Sequence, residues 1–382
     1  MKRTYVLLTL LLCFLAFGYT KNAEEGIAKI YLVDDLLVRS DPSADIRLYS
    51  IANPASLQLL STIKILGNND VAVKGRYMYA DQDQNLLVYD ISNRLSPVAV
   101  DTIRNVFREI WSQQQFVSEP VGFVDGGTVG GASGCGGCGA NDAPVSSVQT
   151  VSPRAGGTAD MSSESSGGKG GSLARFAIVG NYLYCIDNAN LSVYDISDPA
   201  APRYKNAVNI GWEIETLFPF GDELFIGGRS GMYRYSIASP EDPAKLSEFG
   251  HQNSCDPVVV EGTRAYVTLR GGNACGGYSN QMDILDITNR RNPVLLKTIP
   301  MDGPYGLTVT EGTAIVCDGA SGVKIIDTKE IGNIRTIATI TGIIAHDVIL
   351  HNDLLFVTTT TGIWVYNVAK LDDPVKVVRL QF

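Results

Sequence analysis

Alternating apolar and polar residues recur along most of this chain as short runs rich in Val, Ile, Leu, Tyr and Thr. Gly, Asn, Asp and Pro separate the runs, and this combination is typical of β-strands joined by tight turns. No sustained 3.6-residue periodicity appears after residue 20, so the pattern does not favour helical repeats. The chain is therefore predicted to be all-β.

One seven-residue pattern occurs seven times, each time as an alternating strand whose fifth position is polar and precedes a turn. These fifth positions, called marker residues below, are Ser50, Asp90, Asp195, Ser236, Asp286, Asp327 and Asn367. Their separations are 40, 105, 41, 50, 41 and 40 residues, so the period is close to 40 and is broken by one large and one small insertion. We expect each marker side chain to accept hydrogen bonds from backbone amides of the turn that follows it.

Each period contains about four strand-like runs. In the second period they are predicted at 70–74, 76–81, 86–92 and 97–103, and in the seventh at 347–351, 354–359, 362–369 and 375–382. Four strands in a repeat of this length match a propeller blade, and radial closure leaves few exposed sheet edges. The sequence therefore predicts a seven-bladed β-propeller of four-stranded blades, with an eight-bladed ring as the alternative.

The second and third periods resemble the LVIVD-repeat family. The motif is carried by residues 77–80 with 86–92, and by residues 182–184 with 191–199. The resemblance covers nearly all of 27–382 apart from the insertion, and it is weaker in the first, fourth and sixth periods. It implies an exported or surface-attached propeller and says almost nothing about activity.

The propeller is predicted to span 21–382, interrupted by an insertion at 104–174. From 124 to 172 the insertion is mostly Gly, Ser, Ala and Thr, which bury too little apolar surface to offset the entropy of ordering, so we expect it to be flexible. Cys135 and Cys138 within it favour a local disulfide, or bonds elsewhere in the insertion. A zinc site is less favoured because it needs four ligands, and no second close pair of Cys or of Cys and His is found in the sequence. A thioredoxin-like motif is less favoured because it needs a βαβ setting, which the sequence does not show.

Residues 1–20 are predicted to be a signal peptide. Two basic residues precede an uninterrupted apolar run at 6–17, which is short for a bilayer span. Cleavage is expected after Gly18, with Thr20 as the second choice. Cys13 lacks the small preceding residue of a lipoprotein signal, so lipid anchoring is the weaker alternative. We expect export to the periplasm, the outer cell surface or the medium.

The formal net charge of -9 argues against nucleic-acid partners and anionic membrane surfaces. No other apolar run reaches about 18 residues, so no transmembrane span is expected in the mature chain, which we expect to be a monomeric propeller. Cys185 and Cys317 fall on second strands of blades that are not neighbours, which predicts two buried free thiols. Cys255 and Cys275 fall on loops of one face and form the candidate disulfide.

The starts of the inner strands are predicted to surround one mouth of the central channel, where ligands commonly bind in propellers. The candidate ligand-binding residues there are Asp70, Arg175, Glu215, Asp256, Tyr305, His346 and Asp347. One hypothesis is a net acidic rim that holds a cation or a sugar. The favoured hypothesis is that these side chains cap turns and satisfy loop amides. No motif indicates a metal site or a cofactor, although a divalent cation would suit the acids.

Two functions follow from this architecture. The favoured one is a binding scaffold that recognises a protein or a glycan through its loop-rich face. The alternative is a hydrolase or lyase that uses the acids of the channel mouth. No catalytic motif appears, which favours binding only mildly because propeller enzymes scatter their catalytic residues across blades. Carboxylates or His grouped within about 5 Å in a deep pocket, with perturbed pKa values, would favour an enzyme.

Overall fold

The structure is a computed structural model that describes five stretches of the chain, and every structural statement below concerns them. They are residues 28–41, 45–107, 168–251, 257–271 and 279–382. Within these ranges the regular structure is β-strand, apart from a 3-10 turn at Ile331–Asn333. The strands form seven antiparallel sheets, which confirms the predicted all-β class.

Blades 1 and 2 precede the insertion, and each places its four strands side by side in chain order. Blade 1 contains β1 (Lys29–Val33), β2 (Leu36–Ser40), β3 (Ile46–Ser50) and β4 (Gln58–Ile63). Blade 2 contains β5 (Val71–Lys74), β6 (Tyr77–Gln82), β7 (Asn85–Asp90) and β8 (Val98–Ile103). A two-residue strand after the insertion, β9 (Lys169–Gly170), pairs with β1 and makes blade 1 five-stranded.

Blades 3 to 7 repeat the same order. Blade 3 contains β10 (Phe176–Val179), β11 (Tyr182–Ile186), β12 (Asn190–Asp195) and β13 (Arg203–Asn209), and blade 4 contains β14 (Ile214–Phe220), β15 (Glu223–Gly228), β16 (Gly231–Ser236) and β17 (Ala244–Gly250). Blade 5 contains β18 (Val258–Glu261), β19 (Arg264–Leu269), β20 (Gln281–Asp286) and β21 (Val294–Pro300). Blade 6 contains β22 (Leu307–Thr310), β23 (Thr313–Cys317), β24 (Val323–Asp327) and β25 (Arg335–Ile340), and blade 7 contains β26 (Ala345–His351), β27 (Leu354–Thr359), β28 (Gly362–Asn367) and β29 (Val375–Gln381). The predicted strand ends in the second and seventh blades differ from these by two residues or fewer.

The blades form a closed ring. Their first strands contact one another in the order β1, β5, β10, β14, β18, β22 and β26, and β26 in turn contacts β1. The ring therefore has the seven blades that the marker residues predict, and the eight-bladed alternative is wrong. The first strands enclose a central channel. The connections between blades lie on one face, called the upper face below, and the hairpins within each blade that follow its first and third strands lie on the lower face.

The apolar core lies between neighbouring blades rather than at one centre. Val38 and Leu48 of blade 1, for example, belong to one buried cluster with Val73 and Met78 of blade 2. Burying a side chain of this size contributes about 1.5–3 kcal/mol, and the contacts recur at every blade interface. The fourth strands lie at the outer rim, and β8 is largely exposed.

All seven marker residues do what the sequence predicts. Each side chain accepts a hydrogen bond from the backbone N–H two residues further on, at 2.8 Å for Asp90 to Ser92 and 3.4 Å for Ser50 to Ala52. In the other five blades, the equivalent hydrogen bond joins the marker side chain to the backbone N–H two residues further on. In every blade the pairing of the third strand with the fourth shifts register just before the marker residue. The weaker repeats therefore have the same local structure as the strong ones.

Tyrosines of the second strands join neighbouring blades. The Tyr79 hydroxyl of blade 2 donates to the backbone oxygen of Pro199 in blade 3 at 2.9 Å. The Tyr184 hydroxyl of blade 3 donates to the backbone oxygen of Pro240 in blade 4 at 3.0 Å. Both tyrosine side chains are fully buried, so these bonds form in a region of low dielectric constant.

Removing one of these hydroxyl groups should weaken a blade interface. We expect Tyr184→Phe to lower the free energy of unfolding by about 1 kcal/mol, because the carbonyl of Pro240 loses its donor while the packed ring stays in place. Urea unfolding followed by tryptophan fluorescence measures this. Tyr204→Phe, on the exposed outer strand β13, is the matched control and should change stability by less than about 0.5 kcal/mol. Equal effects of the two substitutions would contradict the role given to the Tyr184 hydroxyl.

Candidate functional site

The predicted mouth residues that fall in the described ranges all lie at the starts of inner strands. Asp70 and Arg175 immediately precede β5 and β10, Glu215 is the second residue of β14, Tyr305 lies two residues before β22, and His346 and Asp347 follow the first residue of β26. Glu215 is partly buried. Asp256, the candidate disulfide Cys255–Cys275, and Cys135 and Cys138 lie outside the described residues.

The Asp70 carboxylate joins blade 2 to blade 3. It is 3% exposed, and its Oδ2 accepts hydrogen bonds from the backbone N–H groups of Arg175 and Phe176, the latter at 3.1 Å. Its Oδ1 accepts from the N–H of Val71 at 2.8 Å. Burial raises the pKa of Asp70, while the nearby Lys29 ammonium and the amide donors oppose that rise. Asp70 therefore satisfies the first amides of the next inner strand instead of facing solvent.

Other buried acids hold the loops of the upper face in the same way. Asp81 accepts hydrogen bonds at 2.8 Å from the backbone N–H groups of Asn69 and Asp70. In blade 6, Asp318 accepts from the N–H groups of Asp302 and Gly303. These contacts support the hypothesis that acids near the mouth satisfy loop amides.

The Asp347 carboxylate is also enclosed at the mouth. It is 1% exposed, and its Oδ1 accepts hydrogen bonds from the Ser172 hydroxyl at 3.1 Å and from the backbone N–H of Val348 at 2.9 Å. A methyl group at Gly171 or at Gly306 would overlap the carboxylate, so the two glycines make room for it. Burial raises the pKa of Asp347 to about 6, against the opposing effects of its donors and of the Lys29 ammonium.

The last residues of the predicted insertion, 168–174, run inside the channel. β9 pairs with β1, so that Gly170 lies opposite Tyr31 and Lys169 opposite Leu32. The Tyr31 hydroxyl donates to the backbone oxygen of Gly168 at 2.8 Å, and the N–H of Gly168 donates to the oxygen of Val73 in blade 2 at 3.3 Å. Residues 168–174 belong to the predicted flexible insertion, but Lys169 and Gly170 form an additional short strand against the inner edge of blade 1.

The same segment then reaches across to the far side of the ring. The Ser172 side chain donates to Asp347 of blade 7 and accepts from the backbone N–H of Leu307 in blade 6 at 2.8 Å. Two residues later, the oxygen of Ala174 accepts from the N–H of Leu217 in blade 4 at 2.8 Å. Residues 168–174, called the channel segment below, therefore cross the channel and touch the inner strands of blades 1, 2, 4, 6 and 7.

Lys29 is a mouth residue that sequence reasoning missed. It occupies the first position of β1, equivalent to the starts of the other inner strands, and aligning the seven inner strands would have found it. Burial lowers the pKa of its ammonium group, while Asp70, Asp81 and Asp347 raise it and Arg175 lowers it. The Lys29 ammonium group therefore lies near the buried carboxylates, and its positive charge partly offsets their negative charge.

Another cation lies at the mouth near blades 5 to 7. The guanidinium carbon of Arg270 lies 3.9 Å from the centre of the Tyr305 ring, and the centre of that ring lies 5.0 Å from the centre of the His346 ring. Burial, followed by the charge of Arg270, lowers the pKa of His346. His346 is therefore neutral at physiological pH, and the charge of this part of the mouth comes from Arg270.

At the mouth, hydrogen bonds of buried side chains thus hold neighbouring blades together. Asp70 and Asp347 have raised pKa values. Donors from the chain itself surround the Asp70 carboxylate and bind Oδ1 of Asp347, while the buried Oδ2 of Asp347 has no hydrogen-bond partner among the described residues. Among the described residues, no group of three His, Cys, Asp or Glu side chains is placed to hold a metal ion. The arrangement favours satisfaction of loop amides over the two-carboxylate chemistry that an enzyme would need.

Three large apolar side chains are exposed on the upper face, in connections between blades. They are Leu66 between blades 1 and 2 at 70% exposure, Trp212 between blades 3 and 4 at 68%, and Ile344 between blades 6 and 7 at 52%. Trp212 is followed by Glu213, whose carboxylate binds one guanidinium nitrogen of Arg229 at 2.7 and 2.9 Å. The loop that presents the indole is therefore fixed by an ion pair.

The two cysteines of the described ranges match their prediction. Cys185 on β11 and Cys317 on β23 are both buried free thiols. Burial raises the pKa of each thiol well above its ordinary value, so neither is reactive in the folded protein. They are core residues of blades 3 and 6.

The repeat seen in the structure matches a known sequence family. Residues 68–103, which form blade 2, and residues 170–210, which hold the end of the channel segment and blade 3, match the LVIVD repeat. The chain carries LVIVD repeats on a seven-bladed propeller. No curated protein matches its sequence. Within the described ranges of this LVIVD-repeat propeller, no helix is long and apolar enough to cross a membrane.

Several solved structures share this fold. A functionally unknown protein from Desulfotomaculum acetoxidans has a TM-score of 0.56 at 13% identity, with 92% of this chain and 94% of the other covered. A protein from Lactobacillus plantarum has a TM-score of 0.53 at 13% identity, with 81% and 84% covered. BamB from Moraxella catarrhalis has a TM-score of 0.50 at 10% identity, with 86% and 81% covered. At such identities these likenesses show the fold alone.

Proposed function

We propose that this LVIVD-repeat propeller is an exported binding scaffold whose upper face docks a partner protein. The exposure of Leu66, Trp212 and Ile344 on that face carries the proposal. Trp is among the residues that dominate binding energy at interfaces, and these three exposed apolar side chains are available for contact with a partner. Two of the three side chains are aliphatic, which favours a protein partner over a glycan because sugars stack on aromatic rings.

The rigidity of the ring supports binding. Interblade hydrogen bonds such as those of Tyr79 and Tyr184 hold each blade against the next. The ion pair between Arg229 and Glu213 fixes the Trp212 loop before a partner arrives. A preorganised surface loses little conformational entropy on binding, so more of the contact energy appears as affinity.

Export is the second part of the proposal. Its support is the sequence of residues 1–20, where basic residues precede an apolar run and a small residue at Gly18. We place the mature protein in the periplasm, on the outer surface or in the medium. Mass spectrometry of the mature N-terminus tests this directly: a start after Gly18 or Thr20 supports it, and an intact Met1 contradicts it.

Two leucines of equal exposure allow a matched test of the docking face. Leu66 is 70% exposed on the upper face, and Leu95 is 69% exposed on the lower face in the hairpin between β7 and β8. We expect Leu66→Ala and Trp212→Ala each to reduce recovery of the bound protein at least about tenfold, since interface hot spots contribute 2 kcal/mol or more. Leu95→Ala should leave recovery unchanged.

The measurement is quantitative affinity purification of the tagged proteins from cell-envelope extract, with and without digestion of glycans. Equal recovery with Leu66→Ala and Leu95→Ala would contradict docking on the upper face. Loss of all bound material after glycan digestion would show a glycan partner instead and would overturn the protein assignment.

A further inference from the structure

The interface between blade 7 and blade 1, called the closing interface below, differs from the other six in how it is held. Each of the other neighbouring pairs is joined by a direct hydrogen bond. Arg94 of blade 2, for example, donates to Asp35 of blade 1 at 2.6 Å, and Arg234 of blade 4 donates to the backbone oxygen of Ile287 in blade 5 at 2.8 Å. Within the described ranges, no hydrogen bond runs directly from blade 7 to blade 1.

The chain order leaves the closing interface without a peptide connection as well. Blades 1 to 7 follow one another along the chain, so each blade is linked covalently to the next, except blade 7 to blade 1. Direct contact there comes from an apolar cluster that includes Tyr49 and Phe356, and from the Arg39 guanidinium carbon, which lies 3.8 Å from the centre of the Phe382 ring. Apolar packing is non-directional, so it fixes the two blades less firmly than hydrogen bonds and a covalent link do.

The channel segment spans the closing interface from inside the ring. On the blade 1 side, β9 pairs with β1, and the N–H of Gly171 donates to the backbone oxygen of Ile30 at 3.4 Å. On the other side, the next residue, Ser172, donates through its hydroxyl to Asp347 of blade 7 at 3.1 Å and accepts from the N–H of Leu307 in blade 6 at 2.8 Å. Two successive residues therefore bind opposite sides of the interface.

The glycines of the segment allow close packing against both blades. A methyl group at Gly168 would overlap the Tyr31 ring of blade 1, and one at Gly171 would overlap the Asp347 carboxylate of blade 7. The backbone of the segment therefore lies in van der Waals contact with blade 1 at one glycine and with blade 7 at the other. A side chain at either position would push the segment away from one of the two blades.

We propose that the channel segment closes the ring by holding blade 7 against blade 1, and that its release opens the ring at this interface while the other six stay closed. Proteins open locally where the fewest interactions must be broken. At the closing interface these interactions are the apolar cluster, the Arg39 stack on Phe382 and the segment itself. The proposal concerns the ring and does not depend on docking at the upper face.

Labelling of buried thiols in the native protein tests this. Val365→Cys places a thiol in the apolar cluster between blades 7 and 1, and Val267→Cys places one in the cluster between blades 4 and 5. The two valines are 0% and 1% exposed, so iodoacetamide reaches either thiol only when the structure around it opens. Mass spectrometry of peptides locates the labelled cysteine, and the rate at each position reports how often that interface opens.

Ser172→Ala removes both hydrogen bonds of the hydroxyl. We expect it to accelerate labelling at position 365 at least about tenfold, and labelling at position 267 less than about twofold, because the lost bonds hold the closing interface. Ser247→Ala is the matched control. It removes a hydrogen bond to the backbone oxygen of Arg290 at 3.0 Å, between blades 4 and 5, and should leave labelling at position 365 unchanged.

Three results would overturn the proposal. Unchanged labelling at position 365 in Ser172→Ala would show that the segment does not hold the closing interface. Equal acceleration at positions 365 and 267 would show a general loss of stability instead of opening at one interface. Equal acceleration at position 365 by Ser172→Ala and Ser247→Ala would show that any lost interblade hydrogen bond has this effect. None of these results bears on docking at the upper face.

Discussion

Replacing Gly306 with Ala is expected to lower the free energy of unfolding by about 3 kcal/mol, the upper range for overpacking a core. The new methyl group would overlap the Asp347 carboxylate and would lie 2.8 Å from the Ser172 hydroxyl oxygen. The carboxylate cannot move away, because Gly171 closes the other side of its site just as tightly. Urea unfolding of the purified variant measures the change.

A nearby glycine provides the control for this substitution. Gly303 lies in the same connection, and a methyl group there would meet no atom within 4 Å. Gly303→Ala should therefore change stability by less than about 1 kcal/mol. In an Asp347→Ala background, the cost of Gly306→Ala should fall to about 1 kcal/mol, because the overlapping group is gone. An unchanged cost in that background would show that the carboxylate is not what Gly306 accommodates.

The second large effect is a dependence of stability on pH that comes from Asp347. Its pKa of about 6 in the folded protein exceeds its ordinary value of 3.8, so the folded state binds this proton more tightly than the unfolded state does. The contribution to stability is therefore greatest below pH 4 and is lost as the pH rises through 6. At pH 7.5 the ionised carboxylate costs about 3 kcal/mol.

Asp347→Asn removes this titration. We expect the stability of the variant, relative to the unchanged protein, to be about 3 kcal/mol more favourable at pH 7.5 than at pH 4. Asp286→Asn is a control in which the pH dependence of stability has the opposite sign, because hydrogen bonds from Thr288 lower the pKa of this marker residue. Its ionised form stabilises the fold above the ordinary pKa, and this contribution is lost as the pH falls. A difference between Asp347→Asn and the unchanged protein that is independent of pH would contradict the burial given to Asp347.

The repeat structure was predictable because its signals are local. Asp90 and its six equivalents bond to an amide two residues away, so the pattern of one strand and one turn contains all the atoms involved. The position of Cys185 and Cys317 on second strands followed from the same register. Seven copies of a local pattern then determine the number of blades, since each copy must bury both faces against a neighbour.

The chemistry of the mouth was less predictable because its partners are distant in sequence. Sequence position places Asp70 and Asp347 at the starts of inner strands, but only the fold shows that they are enclosed. Asp347 meets Ser172, which is 175 residues away and lies in a stretch whose composition is typical of flexible linkers. Gly171 belongs to the same stretch, and there it serves close packing against the Asp347 carboxylate. Composition cannot distinguish a glycine of that kind from one in a linker.

The upper face of the propeller differs from the enclosed mouth in what it exposes. The upper face carries the exposed apolar residues of the connections between blades, including Leu66 and Trp212. Behind this face the channel segment crosses the ring, with hydrogen bonds that reach from Val73 in blade 2 to Leu307 in blade 6.

Site-specific photo-crosslinking in living cells tests docking on the upper face most directly. Benzoylphenylalanine placed at position 344, in the exposed connection between blades 6 and 7, should form a discrete crosslinked species with a second protein, and the same probe at position 95 on the lower face should not. Crosslinking to one protein from position 344 alone is the expected result. Absence of a crosslink at position 344, or equal crosslinking from both positions, would contradict docking on the upper face.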